Sequence, residues 1–223
     1  MSFLVAIEGI DGSGKGTQAQ LLRDHLVQSG RSCDLISFPR YDATVFGQAV
    51  GRFLNGEFGS LDNVHPLLAS LLYAGDRFES KQTLLDAIQQ QDVVVLDRYV
   101  ASNIAHQAAK REAAERQELM EFIQELEFRI YGLPAADLVI LLDLPVDQAQ
   151  ALVARKHQRS YTPMQADIQE ADAAYLSNVR DAYLELAAND PSWFKVSGTA
   201  DGSLRTIDDV ADEIWSAVAP HVL

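Results

Sequence analysis

Gly9, Gly14 and Lys15 lie in the stretch G-I-D-G-S-G-K-G-T, residues 9 to 17, and satisfy the spacing G-x-x-x-x-G-K. Glycines at these intervals let the backbone curl until successive N–H groups point inward, and a lysine closing the curl reaches a bound phosphate chain. The chemistry served by such a loop is the holding of a polyphosphate. Its setting supports this reading, because the apolar run FLVAI precedes it and a helix-length segment follows, whose N-terminus adds partial positive charge. The residue after Lys15 is Gly16, where such loops usually carry a Ser or Thr hydroxyl that binds magnesium; Thr17 stands one place further on.

A second group of charges ends the run VVVLDRY, where Asp97 and Arg98 would emerge at a strand end. Asp97 could hold a magnesium shell or a reacting oxygen, and Arg98 could take phosphate oxygens bidentately; the alternative is a surface ion pair capping the next helix. Further polar and aromatic residues occur in SFPRYDAT (Phe38, Arg40), LLYAGDRFES (Tyr73, Arg77) and SNIAHQ (Ser102, Asn103, His106). Phe38 and Tyr73 read equally as core rings, Arg40 and Arg77 equally as solvated ion pairs, and His106 taken alone as a helix-surface residue.

These residues need a scaffold, and five apolar runs predict it as strands: residues 3 to 7, 34 to 38, 93 to 96, 138 to 142 and 193 to 196. Several are apolar without alternation, as in a parallel sheet covered on both faces. Helix-length segments separate them; in residues 16 to 28, Ala19, Leu22 and Leu26 recur at helical spacing before Gly30 ends the element. The order strand, helix, strand predicts a doubly wound α/β sheet with ligands beyond the carboxyl ends of its strands, which is where these motifs fall. Without a repeat or a linker, residues 1 to 223 read as a single domain, with a polar lid at about 155 to 172 between two helices.

The chain carries 18 Lys and Arg against 32 Asp and Glu, a formal net charge of −14, and such a field repels nucleic acid and anionic membrane alike. Cys33 is the sole cysteine, so an intramolecular disulfide and a cysteine-built zinc site are both excluded. The sequence has neither a signal-peptide pattern at its start nor a run of about 18 apolar residues. A soluble, cytoplasmic protein is expected.

Taken in order, GIDGSGK, FPRY, DRF, DRYVASNIA and the 155 to 172 segment resemble the thymidylate kinase family over essentially the whole chain. The resemblance implies a P-loop NTPase-type α/β fold with a five-stranded parallel sheet flanked by helices, a homodimer, and transfer of the ATP γ-phosphoryl group to dTMP with Mg²⁺. It places ATP on Gly9, Gly12, Ser13, Gly14, Lys15, Gly16 and Thr17, and puts Asp11 at the acceptor sugar. Arg98 and Arg40 would grip the acceptor phosphate, Tyr73 would stack near thymine, Arg77 and Asn103 would address its edge, and Phe38, Ser102 and His106 would complete the substrate pocket. Asp97 would partner arginine and magnesium. Gly12 stands where some members place a loop arginine, so the resemblance assigns that catalytic charge to the lid, at Arg155 or Arg159.

Two other readings compete. One is a kinase of another nucleoside or nucleoside monophosphate; the other is a non-catalytic P-loop nucleotide-binding homologue. A guanine-reading switch is disfavoured, since none of the five lysines is followed two residues later by Asp.

Overall fold

The computed structural model describes residues 2–61, 63–154, 169 and 172–223. Strands β1 (Phe3–Glu8), β2 (Cys33–Ser37), β3 (Val93–Asp97), β4 (Leu138–Asp143) and β5 (Trp193–Ser197) form one parallel sheet in the spatial order β2-β3-β1-β4-β5. Each coincides to within about a residue with an apolar run of the sequence. The physical reason is visible in the packing. Leu4 and Ala6 of β1, with Val94 and Leu96 of β3, pack on one face of the sheet, while Val5, Ile7, Val93 and Val95 pack on the other.

Helices cover both faces. Helix α1 (Lys15–Gln28) and the C-terminal α9 (Ile207–Val222) bring Leu22, Leu26, Ile214 and Val218 to one side. The other side receives Leu84 of α4 (Lys81–Gln90), Ile104 of α5 (Val100–Ala108) and Ile123 of α6 (Ala113–Gln124). Each such aliphatic side chain contributes about 1.5–3 kcal/mol when fully buried. The edge strands are less completely covered than the central ones: Asp34 and Ser37 of β2 and Lys195 and Ser197 of β5 are exposed.

The remaining helices are α2 (Val45–Leu54), α3 (Pro66–Glu79), α7 (Val146–Val153) and α8 (Ala173–Asn189). A π-helical turn, Glu125–Ile130, extends α6, and a short hairpin pairs β6 (Thr199–Ala200) with β7 (Ser203–Leu204). None of these last three elements carries a periodic apolar signal. The expected lid falls between α7 and α8, almost wholly outside the described residues. Among the described residues, no helix is long and apolar enough to cross a membrane.

Register sets the site. Ile7 pairs with Asp97, and Asp97 with Ser37, so the carboxyl ends of β1, β2 and β3 finish level. The loops after β1 and β3 therefore rise side by side at the switch point of the sheet.

Candidate active site

The loop from Gly9 to Gly14 turns directly into α1. Gly14 is the N-cap, at φ 93°, a left-handed conformation that favours glycine. Whereas α2, α8 and α9 close their N-termini with the side chains of Thr44, Asp172 and Thr206, α1 has no side-chain cap and no acidic residue in its first turn. The first N–H groups of a helix have no intrahelical partners, so a terminus without a side-chain cap suits an anion. Lys15 is buried, and its Nζ donates to the Ile10 carbonyl at 2.7 Å, which holds the ammonium across the loop. Ser13 and Thr17 flank this curl, with Thr17 exposed.

Gly12 admits no side chain in this arrangement: a Cβ there would lie 2.2 Å from the carbonyl oxygen of Ala149 in α7. A loop arginine is thus excluded unless α7 moves. Arg155 and Arg159, the lid candidates, lie outside the described residues.

Asp97 closes on the loop from β3. A Cβ on Gly16 would be 3.2 Å from Asp97 Oδ2, so the missing side chain leaves a gap beside a hard carboxylate oxygen. That donor set suits Mg²⁺, which binds through one or two carboxylates and completes its shell with phosphates and water.

Arg98 follows at φ 66°, an uncommon value for a side chain of this size, and its N–H donates to the Ile7 carbonyl at 3.1 Å. Its guanidinium pairs with Asp11, not with the adjacent Asp97. Nη1 also donates to Ser102 Oγ at 3.2 Å and faces His106 Nε2 at 3.5 Å. Burial opposes the charge, but Asp11, with Tyr183, Asp97 and Glu8 beyond it, outweighs that effect and raises the pKa well above the ordinary arginine value. Arg98 is therefore a fixed cation aimed at the loop mouth, not the surface ion pair that the sequence left open.

His106 is buried, which removes the helix-surface alternative. The Tyr175 hydroxyl donates to the His106 carbonyl at 3.0 Å and lies 2.9 Å from Nδ1, which assigns the proton to Nδ1 and leaves Nε2 as an acceptor toward Arg98. Burial, reinforced by Arg98, pushes its pKa down to about 3.

Behind Arg98 stands Glu8, fully buried at the end of β1. It accepts from the backbone N–H of Tyr99 (2.7 Å) and Ser102 (3.2 Å), from Ser102 Oγ (2.6 Å) and from Tyr183 Oη (3.0 Å). Glu8 so caps the start of α5 and holds Ser102 against Arg98. Burial raises its pKa against the pull of these donors.

Next to Arg98, a cavity is lined by Asp11, Phe38, Tyr73, Arg77, Ser102, Asn103 and His106, together with Pro39, Tyr41 and Gln107. Of the expected acceptor-site residues, Arg40 alone does not line it; Arg40 Nη1 reaches Thr83 of α4 at 3.3 Å and its backbone N–H donates to Asp76. Arg77 is no solvated ion pair: it is buried and bound to Glu127 of the π-helical turn through Nε and Nη2. Phe38 is buried, with the Arg77 guanidinium carbon 6.0 Å from its ring centre.

Sequence reasoning missed Glu8, Tyr41 and Glu127. An acidic residue directly after five apolar strand residues is a signal for the first; the other two carry no local signal.

A family model described as thymidylate kinase matches residues 7–214. The chain belongs to the thymidylate kinase family. It is 36% identical over 186 residues to a thymidylate kinase of Mycobacterium tuberculosis, covering 83% of this chain and 86% of that one. Against a thymidylate kinase of Bifidobacterium longum subsp. infantis it is 30% identical over 220 residues, 98% and 84% of the two chains. A solved thymidylate kinase from Candida albicans superposes with a TM-score of 0.74 at 26% identity, over 98% of this chain and 92% of its own. The thymidylate kinase assignment makes this chain an enzyme of the nucleoside monophosphate kinase class, and the non-catalytic alternative is not favoured.

Proposed function

We propose that the γ-phosphoryl group of ATP passes to dTMP where the phosphate loop, Asp97 and Arg98 meet beyond the strand ends. An oxygen of the dTMP phosphate forms the new bond to the γ-phosphorus as the bond to the β-phosphate bridging oxygen breaks, and ADP leaves. Both reactants are anions, so approach of the reacting oxygens is opposed by charge. The N–H groups of the Gly9–Thr17 loop and Lys15 would hold the ATP phosphates, and Arg98 the acceptor phosphate, with Asp11 toward the sugar. Asp97 would hold Mg²⁺, which when bound screens phosphate charge. Arg155 or Arg159 would supply a further cation to the transferring group.

The observation that supports this best is the convergence of the phosphate loop, Asp97 and Arg98 at level strand ends, with Arg98 and Asp11 lining the adjoining cavity. In the cavity, Phe38 and Tyr73 would pack on the base, Arg77 would donate to its 4-carbonyl, and Asn103 would accept from N3–H. The exposed Val45, Phe46, Leu68 and Phe78 on α2 and α3 support a homodimer through those helices. A cytoplasmic enzyme without nucleic-acid or membrane partners fits the net charge of −14. Coupled measurement of ADP release with ATP and dTMP tests the proposal: turnover should require dTMP and fall at least about 10²-fold in Lys15→Ala. Retention of more than a tenth of the activity would contradict the role of Lys15.

A further inference from the structure

We infer that Glu127 is the positioning residue that sets which base the cavity accepts, by holding Asn103 as an acceptor and Arg77 as a donor; the inference rests on the proposal that those two side chains read the base. Glu127 is fully buried although it belongs to the charged sequence ELEFRI. In the π-helical turn Leu126 and Glu127 are buried while Glu125, Arg129 and Ile130 remain exposed. π-helical turns occur often at functional sites.

Its two oxygens organise both readers. Oε1 accepts from Asn103 Nδ2 at 2.8 Å and from Arg77 Nη2 at 2.7 Å, and Oε2 accepts from Arg77 Nε. The second Asn103 Nδ2 proton goes to the Ser70 carbonyl at 3.0 Å. Were the amide turned over, its oxygen would face a carboxylate and a carbonyl, two acceptors without a proton between them. The orientation is thereby fixed, and it leaves Asn103 Oδ1 buried, without a hydrogen-bond partner among the described residues, in a side chain that lines the cavity. The fork on Glu127 also fixes the Arg77 plane and takes its Nε and Nη2 edge, which leaves the Nη1 protons and the outer Nη2 proton for a ligand. A donor and an acceptor held side by side match a base with a carbonyl next to a ring N–H, as in thymine or uracil, and mismatch cytosine.

Glu127→Gln removes the charge and one acceptor at nearly constant volume. With ATP as donor and dTMP or dCMP as acceptor, kcat/KM for dTMP is expected to fall at least about 10-fold more than for dCMP, because sites built on hydrogen bonds lose discrimination when their partners are freed. Equal proportional losses would mean that Glu127 serves packing alone and would overturn the inference. Combining it with Asn103→Ala should give less than the product of the two single losses of discrimination, since one residue acts through the other; a full product would also overturn it. If Glu127→Gln does not fold, Glu127→Asp carries the same comparison with the same overturning result. A parent enzyme that accepts dCMP as readily as dTMP would instead refute base reading itself, which keeps the two failures apart.

Discussion

Arg98, at the end of β3, forms an ion pair with Asp11 of the phosphate loop, which joins the two loops that would bind the two substrates. The same guanidinium also donates to Ser102 and faces the acceptor nitrogen of His106. Lysine keeps the charge but cannot span these partners, because an ammonium lacks the planar fork. Arg98→Lys is therefore expected to lower kcat/KM for dTMP by about 10²-fold. Steady-state kinetics that leave the variant within a few-fold of the parent would show that charge alone suffices.

The 2.2 Å approach of a Gly12 Cβ to Ala149 denies the loop an arginine, and in the proposed mechanism Arg155 or Arg159 would supply that cation. We expect the double variant Arg155→Ala, Arg159→Ala to lose kcat by roughly 10³, the scale of a catalytic arginine in nucleotide-hydrolysing sites. A near-normal kcat would assign that charge to Arg98.

His106 gives a pH dependence with a definite sign. Its pKa falls from 6.5 to about 3 in the fold, so below pH 6.5 the unfolded chain takes up a proton that the native state refuses. Stability is lost as pH falls through this window, by at most about 1.4 kcal/mol per pH unit. Thermal melting at pH 7 and pH 5 should show a smaller drop for His106→Gln than for the parent. Parallel drops would contradict a buried neutral imidazole.

The sheet was legible because β1, β3 and β4 are buried on both faces and so read as unbroken apolar runs. The phosphate loop was legible because glycine spacing and a lysine are local features. Arg40 was not, since the phrase FPRY does not say which way the side chain leaves after Pro39, and here it reaches Thr83. Arg77 lines the same cavity as Tyr73 and Asn103, but its partner lies 50 residues away on a π-helical turn that leaves no periodic trace. Asp11, rather than the adjacent Asp97, pairs with Arg98 because pairing depends on how the β1 and β3 loops meet, a tertiary property.

The measurement that tests this account most directly is ADP release with ATP and each of dTMP, dUMP and dCMP. A donor at Arg77 and an acceptor at Asn103 suit thymine and uracil and oppose cytosine, and a site built this way rejects the mismatched base by on the order of 10⁴. Thymine and uracil differ by one methyl group, worth about 1–3 kcal/mol in an apolar pocket. The account predicts kcat/KM in the order dTMP, dUMP, dCMP, with the large step before dCMP; comparable efficiency with dCMP would contradict it.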